Sequence, residues 1–454
     1  MDPARNESAE ATQPAALTSI NQIMHNECII KAMPTSLHIR LAATLFFTVA
    51  AAAATDPFAN YPWIPYDHPA IQYMNPPADR VGKLQKQMES GEIKLQYDPR
   101  RGYLPDVLRR LDINSDSQVL VFSKTSFQAP RISPKTPRAL YFRDDVLVGS
   151  VQNGEVLEIM SLDPRQGVQF YTLSVHQTPE PAFLRRDMVC LQCHMSPATL
   201  NVPGLLITSS YTGTDGTPAF RGAQDLTDHR TPLADRWGGW YVSGTSGDLL
   251  HRGNAVAPDP HSPKMLDTSG SQNLTSLERK FETAPYLEPT SDIVALMTLE
   301  HQTRITNLMI RFAWETRVAI AGGMPAAFQK RLDSDVDELV KYMVFADEAP
   351  IRDPIRGVST FTKTFPQRGP RDRKGRSLRD FDLHTRLFRY PLSYMIYSDA
   401  FDALPDLLRE KVYRKLHEVL TGTAGPLPGE VRRNVLEILQ DTKSSLPAWW
   451  KEGS

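Results

Sequence analysis

The chain has 454 residues, and its 51 lysines and arginines are met by 52 aspartates and glutamates, a net charge of −1. Such a balance offers no field to nucleic acid or an anionic membrane and excludes both as the main partner. The length is enough for two or three domains.

From Met33 the chain reads MPTSLHIRLAATLFFTVAAAAATDPF. His38 and Arg40 give a short polar start, Leu41 to Val49 an apolar run, and Ala52-Ala53-Ala54 a small-residue cleavage site before Thr55. With the alanines that follow, the run of roughly 14 residues is shorter than the ~20 a membrane span needs. Residues 1–54 are therefore read as a leader carrying a cleavable signal peptide, with Met33 or Met24 as the true start. This predicts a bacterial periplasmic or secreted product. No later stretch is apolar enough to form an integral membrane segment.

After the leader, Pro57, Pro62, Pro65, Pro69, Pro76 and Pro77 with Trp63 and Tyr66 predict an extended arm over the surface. Short amphipathic helices follow at Ala78–Ser90 and Leu104–Leu111. Residues 117–175 alternate as strands: Val119–Phe122, Ala139–Phe142, Val146–Val151, Val156–Met160 and Val168–Leu173. Asn153-Gly154 between two of them predicts a two-residue type I′ hairpin. This antiparallel meander leads straight into Cys190-Leu191-Gln192-Cys193-His194.

C-x-x-C-H is the attachment signature of c-type haem. The thiols of Cys190 and Cys193 would add to the haem vinyl groups, and His194 would ligate the iron from below. The remaining cysteine, Cys28, lies in the leader, so the exported chain keeps only the motif pair. Haem c is attached outside the cytoplasm, which agrees with the leader. Without haem, the pair would form a disulfide or redox couple, or contribute to a zinc site.

Next comes a dense polar stretch: Asp228-His229-Arg230, Arg236 to Gly244 with Trp237 and Trp240 around a Gly-Gly pair, and His251-Arg252-Gly253-Asn254. His251 is the first choice for a distal iron ligand and His229 the second; His176 is near by sequence, and a five-coordinate iron is the alternative. His301 falls on the stripe Val294, Met297, Ile305, Leu308, Phe312 and reads as a core residue. Helices are predicted from a Ser291 cap to Ile320, then over 326–346, 405–420 and 428–441. Residues 350–380 read as a basic loop, solvated or clamping an anion such as a haem propionate. The fold class is thus α+β, with a haem-binding region at 55–288 and a mainly helical region at 289–454. It is not a small all-α cytochrome c.

The motif, together with Arg236 to Gly244, His251-Arg252-Gly253-Asn254, Leu299-Glu300-His301-Gln302-Thr303, Gly369-Pro370-Arg371-Asp372 and Phe401-Asp402-Ala403-Leu404-Pro405, resembles exported bacterial proteins described as cytochrome c domain-containing. The resemblance covers most of residues 180–440 and implies haem attachment and electron transfer with a redox partner protein. Three functions stay open. The first is an electron carrier with one covalent haem c. The second is a haem-dependent oxidoreductase, peroxidase-like or acting on another small molecule, with an open iron site served by Arg252, Arg230 or His229. The third is a non-haem binding protein holding a disulfide or zinc.

Overall fold

The computed structural model describes residues 61–219, 225–262, 265–422 and 426–451. The leader, its cleavage point, Cys28 and the first residues of the arm lie outside the described residues.

Two short helices, α1 (Arg80–Glu89) and α2 (Leu104–Arg110), precede the strands. The meander is β1 (Val119–Val121), β2 (Arg138–Phe142), β3 (Val146–Ser150), β4 (Val156–Asp163) and β5 (Gly167–Ser174). β6 (Leu184–Arg185) extends one edge, and the motif follows on α3 (Asp187–His194). A two-stranded ribbon of β7 (Tyr211–Thr212) and β8 (Pro218–Ala219) comes next. β9 (Trp240–Tyr241) then pairs with β1 to close a seven-stranded antiparallel sheet of order β6-β5-β4-β3-β2-β1-β9.

Alternation along these strands separates two apolar faces. Ala139, Tyr141, Val148, Ile159 and Leu173 pack with α1, α2, Leu277 and Phe281. Leu140, Phe142, Leu147, Leu162 and Phe170 belong to a second core with the C-terminal helices. That core runs through both parts of the chain, 55–288 and 289–454, and its axis is α4 (Ile293–Ala321).

The sheet lies on one side of α4; beyond it stand α5 (Ala326–Met343), α8 (Asp406–Thr421) and α9 (Gly429–Thr442), with the short α6 (Phe361–Gln367) and α7 (Asp399–Asp402) between. This explains why α4 is buried all round from Ile293 to Gln302, polar residues included. The fold is mixed α+β, an antiparallel sheet leading into the motif and then helices. No helix among the described residues is long and apolar enough to cross a membrane.

Three local expectations change. The Asn153-Gly154 turn is not type I′: Asn153 has φ 57°, but Gly154 is not in the left-handed region. Gly154 is needed for space, since a Cβ there would lie 2.8 Å from Gln128 Oε1. The cap of α4 is Asp292, which accepts from Val294 N at 2.8 Å. Ser291 is spent elsewhere, donating to Tyr241 O at 2.6 Å and accepting from Leu120 N at 2.9 Å. Finally, residues 350–380, expected as a loop, contain α6; five of their arginines pair with carboxylates, Arg371 with Asp380 and Arg376 with Asp372 inside the segment as a charge-balanced loop implies, and Arg368 and Arg379 with Asp144 and Arg373 with Asp441 outside it.

Asp292 also accepts from Val358 N and Ser359 N, both at 2.8 Å, so one buried carboxylate starts the long helix and pins the following loop. Asp292→Ala should destabilise the chain by about 2 kcal/mol or more. A shift of the urea midpoint at unchanged slope would measure it.

Candidate haem site

Cys190, Cys193 and His194 all line one cavity of about 940 Å³, near the top of the ~300–1,000 Å³ span usual for cofactor sites. The motif occupies the last turns of α3, where Cys190 and Cys193, three apart, share one helical face. The sheet lines it through Leu140, Leu147, Met160, Phe170 and Trp240; residues 205–208, and Leu299 and Thr303 of α4, line it as well.

α3 is held from both ends. At its start Asp187 pairs with Arg185 at 2.7 Å, and Arg185 Nη2 donates to Tyr73 O at 2.5 Å. Tyr73 belongs to the extended arm and donates to Val168 O at 2.8 Å. At its end the chain reverses through left-handed Leu200 and Asn201 and returns as Gly204-Leu205. Asn307 of α4 grips that return: its Nδ2 donates to Leu205 O and its Oδ1 accepts from Leu205 N, both at 2.8 Å. A Cβ on Gly204 would stand 2.5 Å from Asn307 Oδ1, so only glycine lets the amide approach.

The clamp sets the state of His194. Its Nδ1 lies 2.9 Å from Gly204 O. A carbonyl only accepts, so the proton sits on Nδ1 and the Nε2 lone pair is free for a metal. No described residue bonds Nε2. Burial lowers the imidazole pKa against the opposing pull of Gly204, and Arg138 lowers it further. A neutral, oriented ring is the form that ligates iron. The Phe170 ring lies 5.0 Å from it, centroid to centroid. Two thiols on one helical face, an imidazole of fixed tautomer with its Nε2 free, and a largely apolar cavity are features that covalent haem would need.

The expected distal groups lie elsewhere. His251 packs its ring on Trp237 at 5.4 Å, and its backbone exchanges hydrogen bonds with the Gln272 amide at 3.0 and 2.8 Å. Burial pushes its pKa down to about 4. His229 Nδ1 is 2.9 Å from His301 Nδ1, and its ring stacks on Tyr342 at 4.2 Å. Neither lines the cavity with His194. Arg230 is paired with Asp228, Arg252 with Asp235, and His176 faces Glu155. His301 of α4 and Tyr342 of α5 draw His229 into the helical core, and Trp237 with Gln272 holds His251, contacts that sequence distance from the motif does not report.

His301 is a core residue, as its stripe predicts, with Nε2 2.8 Å from Ser393 Oγ. Burial pushes its pKa down to about 3. The folded chain then binds fewer protons than the unfolded one between about pH 3 and 6.5, so this contribution is full above pH 6.5 and is lost on acidification. His301→Gln should therefore lessen the loss of unfolding free energy between pH 6.5 and pH 5 by roughly 1.5 kcal/mol, read from urea unfolding at the two pH values.

The residues missed from sequence are Arg138 and Glu158, which line the cavity as a buried ion pair of 2.9 Å. Their signal was a charge inside each of two apolar strands, Arg138-Ala139-Leu140-Tyr141-Phe142 and Val156-Leu157-Glu158-Ile159-Met160.

No family model, curated protein or solved structure matches the chain.

Proposed function

We propose that the chain is an exported c-type haem protein that holds one covalent haem and passes electrons to or from a partner protein. One observation carries this: Cys190, Cys193 and a His194 of fixed tautomer line the same cofactor-sized cavity. Haem would supply the one-electron change. The chain supplies thioether attachment through the two cysteines and a ligand whose basicity Gly204 raises. Leu140, Leu147 and Phe170, which line the cavity, would keep water from the haem. Phe127 and Val189 line the cavity yet stay 56% and 55% exposed, giving its mouth an apolar rim for a redox partner.

The thiol-redox alternative is disfavoured by Cys190, whose pKa burial pushes up to about 11, opposite to a reactive thiol. A second reading, a haem-dependent oxidoreductase, is favoured by the Arg138–Glu158 pair in the cavity wall.

The test is to export the chain with a haem c maturation system and record visible spectra and intact mass. Haem that survives acid extraction, with the mass of one haem added, is expected. Its absence would sink the proposal in favour of the disulfide or zinc readings.

A further inference from the structure

The helix that carries the motif is open to solvent on its outer side. Met188, 64% exposed, is the most exposed large apolar side chain among the described residues; Val189 beside it and Leu184 of β6 are more than half exposed. The Tyr66 hydroxyl of the arm donates to Met188 Sδ at 3.8 Å. Arg185 Nη1 donates to Met74 O at 3.3 Å, so the exposed Met74 adjoins the same face. Single apolar side chains are ordinary on a surface, but a contiguous set marks a contact with another molecule. Methionine, tyrosine and arginine are residue types that interfaces favour.

Two charges flank this face, and neither is matched among the described residues. Arg186 is exposed and spends only Nε, on Thr172 Oγ1 at 3.0 Å; no described carboxylate pairs with it. Asp67, exposed in the turn after Tyr66, pairs with no described cation. Arg185, by contrast, is taken by Asp187 at 2.7 Å. The two unmatched charges are opposite in sign and are joined through the Met188–Tyr66 contact.

A face with one unmatched charge of each sign is complementary to itself. An isologous interface repeats every pair, so a two-fold axis at the Met188–Tyr66 contact sets Arg186 against Asp67 twice. A purely acidic or purely basic partner would satisfy one charge and strand the other. A lone cation gives an anionic membrane little to hold. The net charge of −1 puts no long-range repulsion between copies.

We infer that two copies of this chain associate through α3. Met74, Leu184, Met188 and Val189 are buried across the axis, and Arg186 pairs with Asp67 of the partner subunit. The face is smaller than the ~20–30 residues a side of a standard interface, so the dimer is weak and exchanges with monomer. Val189 also rims the cavity, which makes the second copy the redox partner: one electron passes from a reduced copy to an oxidised one, and no bond is made or broken. The electron exchange rests on the covalent-haem reading, whereas the association does not need haem.

Sedimentation equilibrium of the exported protein, loaded from about 1 μM to about 1 mM, reads the association. The wild type should pass from monomer to dimer. Arg186→Asp and Asp67→Arg should each weaken the dimer by roughly tenfold, because two exposed pairs turn repulsive together. Arg186→Asp combined with Asp67→Arg should restore it. Met188→Ser should weaken it without changing its salt dependence. These are surface changes, and an unchanged urea midpoint would show the fold intact. In half-reduced wild type the haem methyl proton resonances should broaden through exchange, and sharpen in Arg186→Asp.

A wild type that stays monomeric with haem bound overturns this inference alone. So does a dimer indifferent to both charge reversals, or one that the double variant fails to restore. A dimer with sharp resonances overturns the second copy's role as redox partner. A pyridine haemochrome showing no covalent haem overturns the haem reading and the electron exchange with it, and sedimentation still decides the association.

Discussion

Replacing Cys190 and Cys193 together with serine should leave an exported protein from which acid acetone strips all haem. The wild type should retain its haem through the same extraction. Serine keeps nearly the volume of cysteine, and the site tolerates it because Cys193 is exposed and Cys190 only partly buried. The fold should therefore survive, and a far-ultraviolet spectrum matching the wild type would show that it has. What would disappear is the proposed pair of thioether bonds. His194→Gly completes the test: haem should stay attached but lose its nitrogen ligand. Added imidazole should restore the ligand field spectrum, because the space left beneath Gly204 O and beside Phe170 is the size of the missing ring. Covalent haem in the double serine variant would refute the assigned role of the motif.

The largest stability loss is expected at Arg236→Met. Arg236 Nη1 meets Glu300 Oε2 at 2.9 Å, with the two side chains 3% and 0% exposed. The guanidinium also donates to Thr231 O at 2.7 Å and His229 O at 2.9 Å. It thus ties the segment before β9 to the N-terminal third of α4. Burial already raises the Glu300 pKa to about 7 against the pull of Arg236. Removing the cation leaves that carboxylate and two carbonyls without their donor, and breaking one side of a buried pair costs about 3–5 kcal/mol. Urea unfolding should show the loss. Arg236→Met combined with Glu300→Leu should recover part of it, because the stranded charge goes too. A single variant as stable as the wild type would contradict the buried pair.

The meander illustrates what local pattern carries. Alternation in Val146–Val151 and Val156–Met160 and the Asn-Gly between them predicted a hairpin, and β3 and β4 pair there. The turn type differs because only Asn153 is left-handed, and Gln128, distant in the chain, stands where a side chain on Gly154 would go. The α4 stripe placed His301 in the core, yet the helix is buried on its other faces as well, since sheet and helices both pack on it. The Ser291 cap failed for a similar reason: Ser291 and Asp292 compete for one position, and the contacts to β1 and β9 decide between them.

By itself the sequence determined the α+β class, the strand order along the chain and the motif residues Cys190, Cys193 and His194. These depend on periodicity and on spacing within five residues, which neighbours along the chain set. Only the tertiary structure decided what surrounds the motif. It kept His229 and His251 away from the cavity, brought Asn307 from α4 to fix the return that orients His194, and set Arg138 against Glu158. Those contacts join residues on separate strands and helices, and their energies arise only when the sheet and α4 close on a common core.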